Sequence, residues 1–349
     1  MADFNVNHIT GKQGQQGTVL AGVTTVSSTG SMRIPSGPTE QRGGRGRAIS
    51  AGGYAPADYT SVMEFISVPS TGNGTDFGDL NQALTRPHGC SSSTRGVYAG
   101  GQKTPGVQIG TIQYTTMSSS GGVADFGDLT ADVSSGDAAS NNTRGIISAG
   151  YDAPINIATI SSVEIASTGD ATDFGEGLYN RGQQTVSSTT RYVSAGGYGG
   201  PVADSGSYIY LNVIDYLTFS TRGNPVDYGD LTISSYGASG GTSSSTRGIF
   251  SNLSIEPGSK TNNMAYVTLA TTGNAVDFGD MTVAKAGTGA SNSIRGVFMG
   301  GGTNPADAAG NTIDYITIST TGNATDFGDL ITAVKYAASL CDSHGGIGD

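Results

Sequence analysis

The sequence predicts an all-β chain folded as a six-bladed β-propeller, and three observations carry that expectation. The string D-F-G-D-L, or a close variant, begins at Asp76, Asp125, Asp173, Asp227, Asp277 and Asp326, with spacings of 49, 48, 54, 50 and 49 residues. A second landmark, an Arg followed by a short apolar stretch, begins at Arg47, Arg95, Arg144, Arg191, Arg247 and Arg295, so that two signals drift together through six copies. Between them every local pattern is of β type, and four short strands in each repeat is the arithmetic of a propeller blade.

Each element of the unit has its own reason. After the Arg comes a short apolar strand, as in Gly96-Val97-Tyr98-Ala99 and Gly296-Val297-Phe298-Met299. An alternating strand rich in β-branched and aromatic residues follows, clearest in TIDYITIS from Thr312 and VIDYLTFS from Val213. A turn of the type Thr272-Gly273-Asn274 or Thr321-Gly322-Asn323 comes next, with residues that accept positive φ. D-F-G-D-L then opens a third strand. A strand of Ser, Ala and Thr leads through a polar turn to the next Arg. Only the fourth unit is long, and its excess lies in a Gly/Ser/Pro-rich loop at 197–212.

The phase of the repeat predicts how the ring closes. The first unit opens at Arg47 with no polar strand before it, while ITAVKYAASLCDSHGG, residues 331–346, supplies such a strand after the last unit. The C-terminal strand is therefore expected to complete the first blade and to hide two sheet edges. The propeller is expected to span 43–349. Residues 1–42, rich in Gly, Thr, Ser and Gln, cannot build a core alone and read either as a disordered leader or as an extended N-terminal arm for assembly, the arm being what the resemblance given below implies.

Composition narrows the function classes. Of the 349 residues only 13% are charged and 56 are Gly, which argues against a charge-rich disordered chain and against a helical protein. A net charge of −11 argues against binding to a nucleic-acid backbone. No apolar stretch is long enough for a transmembrane helix, and the first residues lack the apolar region of a secretory signal. Two cysteines, Cys90 and Cys341, are too few for a disulfide framework.

The residues of the repeat also resemble known families. The unit R-G-V-(F/Y)-x-G-G … T-I-D-Y-(I/V)-T-I … D-F-G-D-L resembles a kelch-type repeat. Gly100-Gly101, Gly301-Gly302, Tyr114 and Tyr315 stand at its diglycine and Tyr positions, and Phe77, Phe126, Phe174, Tyr228, Phe278 and Phe327 stand in place of its Trp. The same repeats, with the leader G-K-Q-G from Gly11 and G-S-M-R-I-P-S-G-P-T-E-Q-R-G-G-R-G-R from Gly30, are similar to virion structural proteins of tailed phages, marine cyanophages above all. This resemblance covers almost the whole chain. It implies a non-enzymatic structural protein of the virion (tail, fibre, neck or capsid decoration), made in the host cytoplasm. Its arm would dock to other virion proteins and its propeller would be displayed, as a homo-oligomer in the particle. The alternative it leaves open is a receptor-binding or adhesin module that recognises host-surface glycans.

Candidate site residues follow. The carboxylates Asp76/Asp79, Asp125/Asp128, Asp173/Glu176, Asp227/Asp230, Asp277/Asp280 and Asp326/Asp329 account for the whole acidic imbalance, since removing twelve negative charges from −11 leaves +1. A ring of them is a conceivable Ca²⁺ site, but the ligand density of a calcium loop is lacking. The favoured reading is structural: they accept backbone N–H groups in turns and pair with the six repeat Arg residues. For a ligand the natural place is the long loop of the fourth unit, with Tyr198, Tyr208 and Tyr210, because aromatic faces stack on sugars and anchor interfaces. Enzyme chemistry has little support. His8, His88 and His344 are scattered, Cys90 reads as a small residue in a polar strand, and no zinc, serine-hydrolase or kinase constellation is present. No cofactor and no metal is expected.

Overall fold

The computed structural model describes residues 46–201, 209–236, 240–251, 253, 260–304 and 306–347, together with the short strands Val19–Leu20 and Thr24–Thr25. The chain divides into two units, Met1–Glu40 and Gln41–Asp349. In the first, Val19–Leu20 pairs antiparallel with Thr24–Thr25. The rest of the expected arm lies outside the described residues. The second unit is an all-β propeller of six four-stranded antiparallel sheets. Among the described residues no helix is long and apolar enough to cross a membrane.

The blades follow the repeat, displaced by one strand. In the second blade the order from the axis outwards is His88–Ser91, Arg95–Ala99, Thr111–Thr116 and Ala124–Asp128. The polar strand of Ser and Ala is thus innermost, and the D-F-G-D strand outermost. The third blade opens on Asp137–Ser140, the fourth on Tyr179–Ser187, the fifth on Thr242–Ser243 and the sixth on Lys285–Ser291. The first blade takes its innermost strand from the far end of the chain: Ala338–Cys341 pairs with Arg47–Ala51 in the register Leu340↔Ile49 and Cys341↔Ala48. The Asp342 carboxylate then accepts the backbone N–H groups of Gly46 and Arg47, fixing the seam.

The repeated residues join each blade to the next. Arg47, Arg95, Arg144, Arg191, Arg247 and Arg295 each donate Nη1 to a carbonyl of the following blade, on Met117, Ile165, Phe219, Leu269, Ile318 and Pro69, at 2.5–3.0 Å. Five of the guanidinium groups also lie over a ring of their own blade, at 4.3–4.8 Å from Phe65, Tyr114, Tyr216, Tyr266 and Tyr315. The third blade has Ser162 at that position, and there Arg144 pairs instead with Glu164 at 2.8 Å.

This corrects the expected pairing of Arg with D-F-G-D. Among the described residues no repeat Arg forms an ion pair with Asp76, Asp79, Asp125, Asp128, Asp173, Glu176, Asp227, Asp230, Asp277, Asp280, Asp326 or Asp329. These residues sit on the outermost strands, Asp280 half-buried and the others exposed, where water solvates a carboxylate at little cost. Asp79 departs from the expectation on both counts. Its carboxylate takes neither Arg47 nor a turn N–H, but the Ser61 hydroxyl of its own blade, at 3.0 Å.

Backbone groups are bonded at this edge too, with the expected roles reversed. The N–H groups of Asp128, Glu176, Asp230, Asp280 and Asp329 donate to the side-chain oxygens of Asp170, Asn224, Asn274, Asn323 and Asn73, each in a turn of the next blade. At Asp79 the corresponding turn residue is Gly122, which has no side chain to accept the bond. The D-F-G glycine is part of the same joint. A Cβ at Gly78 would lie 2.3 Å from the Gly121 carbonyl oxygen, and one at Gly328 would lie 2.5 Å from that of Gly72. The motif therefore records the close approach of two backbones. Phe77 and its counterparts are buried beneath, and Phe77, Phe126, Tyr228, Phe278 and Phe327 are each set edge-on against the neighbouring ring of their blade at 6.0 Å.

A third set of joints runs round the axis. Ser140, Ser187, Ser243 and Ser291 each donate Oγ to the carbonyl of the equivalent Ser one blade earlier, and Ser91 donates to that of Cys341, at 2.7–3.0 Å. Small residues let the six inner strands converge until a space of only about 50 Å³ is left between them. The C-terminal turn lies across one end of that space, with His344 against Ser91 and Ser140, and Gly345 N bonded to the Ser243 carbonyl.

Candidate functional site

Antiparallel connectivity gives the ring two unlike faces. One carries the tight turns before each Arg and before each D-F-G-D strand. The other carries the connections between second and third strands, and those leading into each innermost strand. The second face varies most from blade to blade, and a cavity of about 370 Å³ opens there at the end of the axis. That volume falls in the range of small-molecule sites.

The cavity is walled by residues just before the inner strands or at their start. Arg86, Ser135, Gly182, Ala286 and Tyr336 occupy one equivalent slot, five residues ahead of Ser91, Ser140, Ser187, Ser291 and Cys341, and all five line it. In three of them the backbone is left-handed, with φ of 55° at Arg86, 65° at Ser135 and 58° at Tyr336. Non-glycine residues held there cost conformational energy and persist only where surrounding structure fixes them.

Aromatic rings supply much of the rest. Tyr198 and Tyr210 face each other across the long hairpin of the fourth blade, with centroids 5.3 Å apart. Tyr236, from the connection into the fifth blade, completes a three-ring cluster at 5.8 Å from Tyr198 and 5.9 Å from Tyr210. Tyr198 and Tyr236 line the cavity directly, with Tyr151 and Tyr336. Burial and the two neighbouring phenols push the Tyr210 hydroxyl above its ordinary value. Tyr208 lies outside the described residues.

On the opposite wall Arg86 lies 4.6 Å over the Tyr336 ring. The Tyr336 hydroxyl donates to Asp307 Oδ2 at 2.5 Å, and the same carboxylate takes Lys335 at 2.9 Å and Lys260 at 3.2 Å. Burial works to raise the Asp307 carboxyl, but the bonds from Lys335 and Tyr336 and the Lys260 charge outweigh it and hold the carboxyl below its ordinary value. The floor carries Asp137, whose carboxylate accepts the N–H groups of Thr185 and Ala138. Burial pushes that carboxyl up to about 7, against the pull of these bonds. Asn156 Nδ2 ties the third blade to the Tyr198 carbonyl at 3.0 Å.

The other titratable groups are absorbed by packing. Arg181–Asp215 at 2.8 Å and Lys285–Asp314 at 3.3 Å are buried pairs inside single blades. Burial raises the Asp215 carboxyl and lowers the Lys285 ammonium, although each partner's charge opposes the shift. Cys90 and Cys341 are buried free thiols pushed up to about 12 by burial, the opposite of an activated nucleophile. No group of three or more His, Cys, Asp or Glu side chains among the described residues is placed to hold a metal ion.

The third ring, Tyr236, and the Arg86–Tyr336 pair escape a reading of the sequence because they lie in three separate connections that do not repeat. The one available signal was negative: the segments between D-F-G-D-L and the inner strand are where the six units agree least. No protein-family model matches the chain, and no curated protein is similar to it. Fold and cavity together define its class as a six-bladed β-propeller with a solvent-open cavity on its variable face.

Proposed function

We propose that the chain is a non-enzymatic structural protein of a phage particle, with residues 1–42 docking to other virion proteins and the propeller displayed. The observation that supports it is where the repeated chemistry is used. Every repeated Arg, every D-F-G-D glycine and the Ser belt join one blade to the next, so the repeat builds a closed ring. Gly-, Ser- and Thr-rich loops with few Lys suit a part exposed outside a cell. Mass spectrometry of purified virions tests the reading: the chain should be present in many copies per particle. Its absence from washed particles, with the protein abundant in the same lysate, would overturn it. The arm is tested by light scattering, where the full-length chain should form a defined oligomer and a chain beginning at Gly43 should not.

One observation favours a second reading, attachment to the host surface. The variable face carries a cavity lined by residues that differ from blade to blade, as a recognition site on a symmetric scaffold requires. In that case the isolated propeller should bind host cells.

A further inference from the structure

We propose that the cavity on the variable face binds a neutral pyranose ring of a glycan, stacked among Tyr198, Tyr236 and Tyr336 and bonded at its rim by Arg86 and Asp137. This deepens the attachment reading and rests on it for its biological setting, while the site itself stands on the geometry.

A pyranose presents C–H groups on its faces and hydroxyls round its edge. Its receptor needs flat aromatic surfaces together with donors and acceptors arranged about them. The cavity has both. Three phenol rings come from the fourth blade, the connection into the fifth and the connection into the first, so they approach one volume of about 370 Å³ from different sides. Between them stand short neutral polar side chains, Ser135 and Thr288, able to donate or accept.

The charges point to a neutral ligand. Arg86 and Asp137 are the ionisable Arg and Asp on the wall, and each already has a partner in the protein: Arg86 lies over the Tyr336 ring, and Asp137 accepts two backbone N–H groups. Arg86 keeps guanidinium donors for a hydroxyl, and the Asp137 carboxylate keeps lone pairs for another. No cluster of cations among the lining residues awaits a phosphate or an acidic sugar, and the chain's net charge of −11 disfavours a polyanion at long range.

Backbone strain marks the same wall. The four non-glycine residues with left-handed φ among the described residues are Arg86, Ser135, Asp307 and Tyr336. Three line the cavity, and the fourth accepts the hydroxyl proton of Tyr336. A ring-joining scaffold does not need that strain, since the backbone of the same slot is not left-handed at Gly182 and Ala286. Strain collected round one cavity is the mark of side chains held ready for a ligand.

The test uses the full chain and saturation-transfer NMR with methyl glycosides of glucose, mannose, galactose and rhamnose, beside glucuronate and N-acetylneuraminate. At least one neutral glycoside should bind, with a dissociation constant in the millimolar range expected of a single sugar. Tyr236→Ala and Tyr198→Ala should each weaken it by about tenfold or more, with an unchanged melting temperature. Tyr198 is the most exposed of the rings, so Tyr198→Ala decides the matter if Tyr236→Ala fails to fold. Absence of binding by all four neutral glycosides, binding confined to the acidic sugars, or binding indifferent to both substitutions would each overturn the proposal. Purified host lipopolysaccharide and whole cells form the second arm. If the methyl glycosides bind and cells do not, the attachment reading fails and the site stands. If cells bind through the propeller and no neutral glycoside does, the site fails.

Discussion

Arg295 in the sixth blade donates its guanidinium to the carbonyl of Pro69 in the first, 3.0 Å away and 226 residues apart in sequence. It is the bond that turns a row of five equivalent joints into a circle. Its cost of removal should equal that of any other member. Arg295→Met keeps most of the side-chain stem, so it isolates a charge-assisted hydrogen bond, about 2 kcal/mol, and a cation–π contact of about 0.5–1 kcal/mol. Urea unfolding of Arg295→Met and Arg95→Met should show similar losses. A loss at Arg95 with none at Arg295 would place ring closure in the C-terminal strand alone.

Two glycines in one joint should respond very differently. Gly121, with φ of 153°, has nothing within 4 Å of the position its Cβ would take, whereas Gly78, with φ of 139°, would drive its Cβ into the Gly121 carbonyl. Gly121→Ala therefore costs backbone strain only, about 1–3 kcal/mol. Gly78→Ala adds a clash between two backbones of adjacent blades, neither of which can rotate away, and should cost several kcal/mol more or prevent folding. Equal unfolding midpoints for the two variants would show that the blades slide apart freely at this contact.

The contrast between repeated and unrepeated residues also explains what the sequence disclosed. The six blades, the polar strand and the C-terminal seam were legible because the same physical demand recurs six times and leaves the same letters each time. The partners of those letters were less legible. Arg47 recurs in step with Asp76 and Asp79, which suggested pairing. Yet Arg47 reaches a carbonyl of the next blade, Asp76 faces water and Asp79 takes the Ser61 hydroxyl. A backbone acceptor leaves no trace in the sequence. For the cavity the difficulty is of another kind. Tyr198 and Tyr210 stood out within one long loop, but Tyr236, Arg86 and Tyr336 meet them only after the ring has closed.

The seam itself can be removed and restored. A chain ending at Tyr336 loses the strand Ala338–Cys341, the buried Leu340 and the two bonds that Asp342 accepts, and leaves Arg47–Ala51 as an unpaired edge beside the axis. The loss should be comparable with the whole stability margin of a domain, about 5–15 kcal/mol. The truncated chain should therefore aggregate or melt without a cooperative transition. A synthetic peptide of residues 337–349 should restore the transition. A truncated chain that melts cooperatively at the full-length temperature would show that the other five blades hold the ring unaided.

Acid should loosen the propeller through its buried histidines, and the sign of each contribution can be assigned. His344 Nδ1 accepts the Gly346 N–H at 3.0 Å while Nε2 faces the Ser91 carbonyl at 3.2 Å, so a second proton has no place on the ring. His88 is similarly committed, with Nε2 accepting the Gly136 N–H at 2.9 Å. Burial pulls both down to about 4 from 6.5. Between those values the unfolded chain binds protons that the native chain refuses. Stability is thus full above pH 6.5 and falls with pH below it, by about 1.4 kcal/mol per pH unit for each histidine. Asp137 acts in the opposite sense. Burial pushes its native carboxyl up to about 7 from 3.8, so across that window the native chain holds the extra proton and stability declines as pH rises. Asp215, whose carboxyl burial also raises, acts in the same sense as Asp137, so histidines and carboxyls oppose each other across this window. Relative to the unsubstituted protein, His344→Gln should make the urea midpoint rise less with pH between about pH 4.5 and 6.5, and Asp137→Asn should make it rise more. Midpoints of both variants running parallel to the unsubstituted protein would show that neither group changes its proton affinity on folding.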